Sequence, residues 1–170
     1  MRGRFFVIDG TDGSGKKTQT ALLTEQMRRD GLPVETISFP RYGQPSAVNV
    51  ERYLRGEFGP AGALDSRTAS RFYAEDRLAA KGQIEQWLNA GTNVIADRYV
   101  AANMGHQGGK IDDSKERLAF FRWAEELEYG QNHIPRPDLN LILHVPTKIS
   151  ISLIDQRGNA KDGHESSPEH

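Results

Sequence analysis

The sequence predicts a three-layer α/β domain, a parallel sheet flanked by helices on both faces, on three observations. Short strand-forming runs recur at 4–9, 33–39, 93–96 and 139–145, each stopped by a glycine, a proline or an aspartate. Segments of helical periodicity separate them. The first run ends in a glycine-rich turn that opens directly into a helix, the kind of junction at which α/β sheets bind phosphate. Apolar strands that alternate with helices bury both faces of a parallel sheet and connect through right-handed crossovers.

Each element has a local reason. Residues 4–9, around Phe5-Phe6-Val7-Ile8, form the first strand. A helix over 16–30 ends before Gly31, and a second strand over 33–39 is stopped by Pro40, which completes one βαβ unit. A short helix over 45–55 and a long one over 66–90, closed by Gly91, lead to a third strand, Asn93-Val94-Ile95-Ala96, that runs into Asp97. Helices over 100–108 and 114–130 come next, and a fourth strand from Leu139 to Val145 is stopped by Pro146.

Composition narrows the function classes. The 170 residues suit one domain spanning 1–170, and 36% apolar residues suffice for one core. A net charge of −1 gives no electrostatic case for nucleic-acid or membrane-surface partners. The absence of cysteine excludes disulfides, thiolate chemistry and zinc-thiolate sites. Five scattered histidines show no metal-ligand spacing. Met1-Arg2-Gly3-Arg4 leads straight into a strand and no apolar run approaches membrane-spanning length, so a cytoplasmic protein is expected.

The segment Gly10-Thr11-Asp12-Gly13-Ser14-Gly15-Lys16-Lys17-Thr18 reads as a phosphate-binding loop. Its glycines permit positive φ and close approach, so that backbone N–H groups and the helix N-terminus converge on phosphate oxygens. Lys16 reaches the β- and γ-phosphates as a point charge. The spacing fits the eight-residue pattern G-x-x-x-x-G-K-[ST] at seven positions. Lys17 occupies the eighth, where a hydroxyl normally ligates Mg²⁺, and Thr18 lies about 100° further round the helix. Ligands of open α/β sheets sit at the carboxyl ends of the strands, so this loop, Phe39-Pro40-Arg41-Tyr42 and Asp97-Arg98-Tyr99 should face one cleft. Alone, Asp97-Arg98 reads as a solvated ion pair. Beside a phosphate loop, an acidic residue ending an apolar strand suits the Mg²⁺-organising carboxylate of phosphoryl-transfer enzymes.

These residues resemble the thymidylate kinase family, P-loop kinases that phosphorylate dTMP with ATP. Ile8 to Lys16 is similar to the family's phosphate loop, with Asp9 where glutamate is more usual. Phe39 to Gly43 resembles its F-P-x-Y segment, Tyr73-Ala74-Glu75-Asp76-Arg77 its F-A-x-D-R helix, and Asp97 to Asn103 its D-R-Y-x-x-S-N segment. Ile134-Pro135-Arg136-Pro137-Asp138-Leu139 resembles the element before the fourth strand. The resemblance implies a P-loop NTPase fold, ATP as donor with Mg²⁺, a small-molecule acceptor, dTMP, on the route to dTDP, and a homodimer.

It also implies roles. Tyr73 and Arg77, four apart on one helix face, suit stacking on a pyrimidine and bonding its oxygen. Phe39 packs on the other side of the base, and Asn103 reads its amide edge with support from Gln107. Arg98 and Tyr42 hold the dTMP phosphate; Lys16, Arg98 and Asp12 are the catalytic candidates; Asp12, Asp97 and Glu165 are the metal candidates. With no arginine in the loop, Arg157 and Lys161, in a lid over about 156–166, supply positive charge to ATP. Two departures stand out, Lys17 and an alanine, Ala102, for the serine beside Asn103. The family also continues past a segment like His164-Glu165 with a further strand and helix, so the C-terminal strand and helix are expected to be missing. A P-loop kinase for another nucleotide, or a catalytically impaired nucleotide-binding module, are the alternatives. A GTPase is disfavoured because the chain lacks N-K-x-D.

Overall fold

The structure, a computed structural model, describes residues 1–60 and 62–156. Four strands, β1 (Phe5–Gly10), β2 (Val34–Ser38), β3 (Asn93–Asp97) and β4 (Leu139–Leu143), form one sheet in the order β2-β3-β1-β4. All pairings are parallel, with Phe5 opposite Val94, Val34 opposite Asn93 and Phe6 opposite Leu139. The helices are α1 (Lys16–Arg29), α2 (Val48–Leu54), α3 (Ser66–Asn89), α4 (Val100–Gly108), α5 (Ser114–Glu125) and α6 (Thr147–Gln156). A 3-10 turn, Pro45–Ala47, leads into α2, and a π-helical turn, Glu126–Gln131, prolongs α5.

Alternation along the strands makes three layers. Phe5, Val7, Val94 and Ala96 point to one face, where they pack with Ala80, Ile84 and Leu88 of α3 and with Tyr99 and Val100. Ile8 and Ile95 point to the other and meet Met27 and Leu23 of α1. Side chains of Asp65 and Asp113 cap α3 and α5 by accepting from the second and third N–H groups of each helix, worth about 1 kcal/mol apiece. Asp138 starts β4: its carboxylate accepts from Phe5 N–H at 2.7 Å, while its own N–H donates to Phe5 O at 2.8 Å.

The element boundaries expected from sequence lie close to those observed. The departure is at β4, where the sequence predicts burial on both faces. Leu139, Leu141 and Ile142 are 47%, 39% and 69% exposed, and β4 pairs on one side only among the described residues. The strand also stops at Leu143, short of Val145. No helix among the described residues is long and apolar enough to cross a membrane.

Candidate active site

The loop between β1 and α1 is built on backbone that only glycine adopts without strain. Gly10 has φ 152°, and a Cβ there would lie 2.6 Å from Leu143 O and 2.7 Å from Ser14 Oγ; Gly15, with φ 87°, turns the chain into α1. Ser14 N–H donates to Thr11 O at 3.2 Å and closes the turn. The Lys16 ammonium folds over it, donating to Thr11 O at 2.7 Å and lying 3.8 Å from Asp12 Oδ1. Burial and the neighbouring Arg98 cation push the Lys16 pKa down, against the pull of Asp12, Asp97 and Asp9. Ser150 Oγ of α6 donates to the backbone oxygen of Asp12, which ties α6 to the loop.

The loop forms one wall of a cavity of about 330 Å³. Asp12, Gly13, Gly15, Lys16 and Lys17 line it from the loop; Phe39, Pro40 and Tyr42 from the segment after β2; Tyr73 and Arg77 from α3; Asp97, Arg98, Ala102, Asn103 and His106 from the end of β3 and from α4. The three strand-end segments expected to meet do meet.

At the loop end, Arg98 sits in left-handed backbone, φ 67°, and its Nη2 donates to Asp12 Oδ1. Burial raises the Asp12 pKa, but the charges of Arg98, Lys16 and His106 outweigh it, and the net shift is downward. Asp97 moves the other way: burial dominates and pushes its carboxyl up, with Oδ1 enclosed and without a partner among the described residues. Asp9 is raised for the same reason while accepting from Tyr99 N–H at 3.2 Å. Lys17 borders both this cavity and a shallower hollow between α1 and the ends of β2 and β3, and Asp97 faces both. Thr18 is exposed and lines neither.

At the far end, Arg77 is 1% exposed. Its Nε donates to Glu128 Oε1 at 3.0 Å, Nη2 donates to the same oxygen, and Nη1 lies 3.4 Å from Tyr99 O. Asn103, almost fully buried, has an Oδ1 with no partner among the described residues. Tyr73 stands edge-on to Tyr53, their centroids 6.5 Å apart, and burial pushes its hydroxyl pKa up. Phe39 serves cavity and core at once, packed 5.6 Å from the Tyr99 ring.

Some placements differ from the sequence reading. Gln107 is buried but does not line the cavity; His106 takes the position one turn beyond Asn103. Gly10, Thr11 and Ser14, expected to hold ATP, belong to the loop but do not line this cavity. Arg157, Lys161 and Glu165 lie outside the described residues. Residues without an expected role also emerge. Asp76, fully buried, accepts from Arg41 N–H at 2.7 Å and Arg41 Nε at 2.9 Å, which fixes the segment carrying Tyr42. In the sequence Asp76 and Arg41 are visible only as members of motifs, and Glu128 belongs to no motif at all.

A parallel sheet, a glycine-rich phosphate loop at the end of an inner strand and a cavity beside that loop define a P-loop nucleoside monophosphate kinase. The sequence profile of the family described as Thymidylate kinase matches residues 8–169, so the chain belongs to the thymidylate kinase family. It is 31% identical over 164 residues to the thymidylate kinase of Mycobacterium tuberculosis, a match covering 93% of this chain and 76% of the relative. A probable thymidylate kinase of Pyrococcus abyssi is 30% identical over 163 residues, covering 95% and 75%. The solved structure of a thymidylate kinase from Candida albicans superposes with a TM-score of 0.72 at 28% identity, covering 88% of this chain and 66% of that one.

Proposed function

We propose that the cavity holds dTMP, phosphate toward Arg98 and Lys16 and base toward Arg77 and Asn103, and that the chain transfers the γ-phosphate of ATP to it, giving dTDP. One observation carries this reading. Lys16, Lys17 and Arg98 gather positive charge at one end, while the other offers a hydrogen-bond donor, Arg77, and an unpartnered acceptor, Asn103 Oδ1. The edge of thymine presents the complement, an oxygen that accepts and an N–H that donates. Cytosine reverses that pattern, and a site with buried polar groups rejects a mismatched edge strongly.

Phosphoryl transfer asks the protein mainly for alignment and charge neutralisation. Backbone N–H groups of the loop hold ATP phosphates, Lys16 bridges toward the transferred group, and Arg98 with Tyr42 aligns the acceptor phosphate. Asp12 keeps Arg98 and Lys16 oriented until phosphate arrives. Mg²⁺ fits this end: no cluster of three candidate ligands exists among the described residues, but Mg²⁺ needs only one or two carboxylates beside substrate phosphates. Asp97, with its enclosed unpartnered oxygen, and Asp12 supply them. When bound, the ion offsets charge on the β- and γ-oxygens. We also propose a single kinase domain, and assign Arg157 and Lys161 of the segment about 156–166 to ATP as sources of positive charge and Glu165 to the metal. A cytoplasmic homodimer completes the reading.

The test is ADP release with Mg·ATP against dTMP, dUMP, UMP, dCMP and AMP. Turnover on dTMP, with dCMP and AMP inert, supports it. Binding of dTMP without turnover assigns the chain to a non-catalytic module, and preference for another nucleotide overturns the base assignment.

A further inference from the structure

The residue that controls Arg77 does not line the cavity. Glu128 is 1% exposed and sits on the π-helical turn after α5. An extra residue in a helical turn shifts the register of the residues after it, and here Leu127 and Glu128 are both buried. The turn is held in place: Ile134 N–H donates to Glu128 O at 3.1 Å, Asn132 N–H to Leu127 O at 2.9 Å, and Lys81 Nζ of α3 to Asn132 O at 3.2 Å.

A guanidinium carries five N–H bonds in a rigid plane. Glu128 Oε1 engages one flank, Nε and Nη2, and Tyr99 O lies at long range from Nη1. The remaining N–H groups are those left for a ligand in the cavity that Arg77 lines. The pair therefore does two things. It stops a long side chain from sampling rotamers, and it cancels a buried positive charge that would otherwise draw anions to this end. The opposite end sets Lys16, Lys17 and Arg98 against Asp12 and Asp97, an excess of one positive charge, so a nucleoside monophosphate is oriented by the contrast.

We infer that Glu128 is a positioning residue for base recognition: from behind the cavity wall it fixes the orientation and neutralises the charge of Arg77, so that this end accepts the uncharged oxygen-bearing edge of a pyrimidine rather than a phosphate. The inference rests on the reading of the cavity as the dTMP site.

Steady-state kinetics of the unaltered protein, Glu128→Gln, Arg77→Ala and the double variant test it, with thermal melts alongside. Glu128→Gln is expected to raise the KM for dTMP by about tenfold or more, as loss of one member of a buried charged pair does. The KM for ATP should stay within about twofold, because ATP contacts lie at the other end. Inorganic phosphate should become a better competitor of dTMP in Glu128→Gln than in the unaltered protein. In the Arg77→Ala background, Glu128→Gln should add nothing to the dTMP KM, since the two act as a unit. An unchanged dTMP KM, an equal rise for both substrates, or independent multiplying penalties overturn the role of Glu128. If Glu128→Gln does not fold, nitrogen-15 spectra of the unaltered protein decide, with Arg77 assigned by its loss in Arg77→Lys. A guanidinium with a protected Nε–H and restricted rotation before dTMP is added supports the inference, and a freely rotating one overturns it. An unaltered protein that neither binds nor phosphorylates dTMP overturns the cavity reading and this inference with it; a competent one with an indifferent Glu128→Gln overturns this inference alone.

Discussion

Two arginines mark the ends of one cavity, and they are held in opposite ways. Arg77 is fully enclosed and its carboxylate partner, Glu128, lies behind the wall, so the pair survives when the cavity fills. Arg98 is partly exposed, sits in left-handed backbone, and pairs with Asp12, itself part of the wall. In the proposed pose a ligand phosphate would compete for Arg98 with that carboxylate and leave Glu128 untouched. In the proposed dTMP pose this difference separates the neutral and charged parts of the substrate: the cation at the base end is compensated from behind the wall, and the cation at the phosphate end by a group that the substrate would displace or share.

Substitutions can break this contrast. The largest loss is expected from Lys16→Ala, which removes the cation folded over the loop and should cut kcat by about 10²–10³, as deletion of one preorganised charge-stabilising donor does. Arg98→Ala should lower kcat and kcat/KM together by about 10²-fold, the signature of an interaction strengthened in the transition state. Arg77→Ala should instead raise the dTMP KM by about 10–100-fold while the ATP KM holds. If the two arginine variants gave the same kinetic pattern, the distinction between the two ends would collapse. Asp76→Ala leaves Arg41 without its buried partner, and a loss of about 3–5 kcal/mol in stability is expected by thermal or denaturant unfolding.

The smallest effect sharpens the picture away from the cavity. Hydrogen bonding from Phe5 N–H, with Arg4 and Arg2 nearby, holds the Asp138 pKa below its ordinary 3.8 despite some desolvation. A carboxyl lowered in the folded state stabilises above its unfolded pKa and loses that contribution as pH falls through the folded value. Asp138→Asn should therefore melt lower than the unaltered protein near pH 7, by about 1 kcal/mol in stability, and the gap should close below pH 3.8.

Much of this was legible in the chain because the signals were local. The strand–glycine loop–helix junction and the strand-end segments around Phe39 and Asp97 carry their own geometry. The pairing of Tyr73 with Arg77 comes from four-residue spacing. The hidden features depend on distant partners. Arg77 and Glu128 are 51 residues apart, and nothing in their neighbourhoods announces the pairing. The π turn that presents Glu128 has no sequence period of its own, since Glu126 to Gln131 reads as ordinary helix. His106 and Gln107 both lie one turn beyond Asn103, and only the packing of α4 against α3 decides which faces the cavity. The run from Leu139 to Val145 reads as a buried strand because apolarity predicts a preference for burial, not the presence of a neighbour.

β4 has one further consequence. Among the described residues it pairs only with β1, and its side chains are largely exposed. Its register runs from Leu139 opposite Phe6 to Leu143 opposite Gly10, so the pairing reaches the residue at which the glycine-rich loop begins. A Cβ on Gly10 would meet Leu143 O at 2.6 Å, and the start of the loop is therefore fitted against the end of β4.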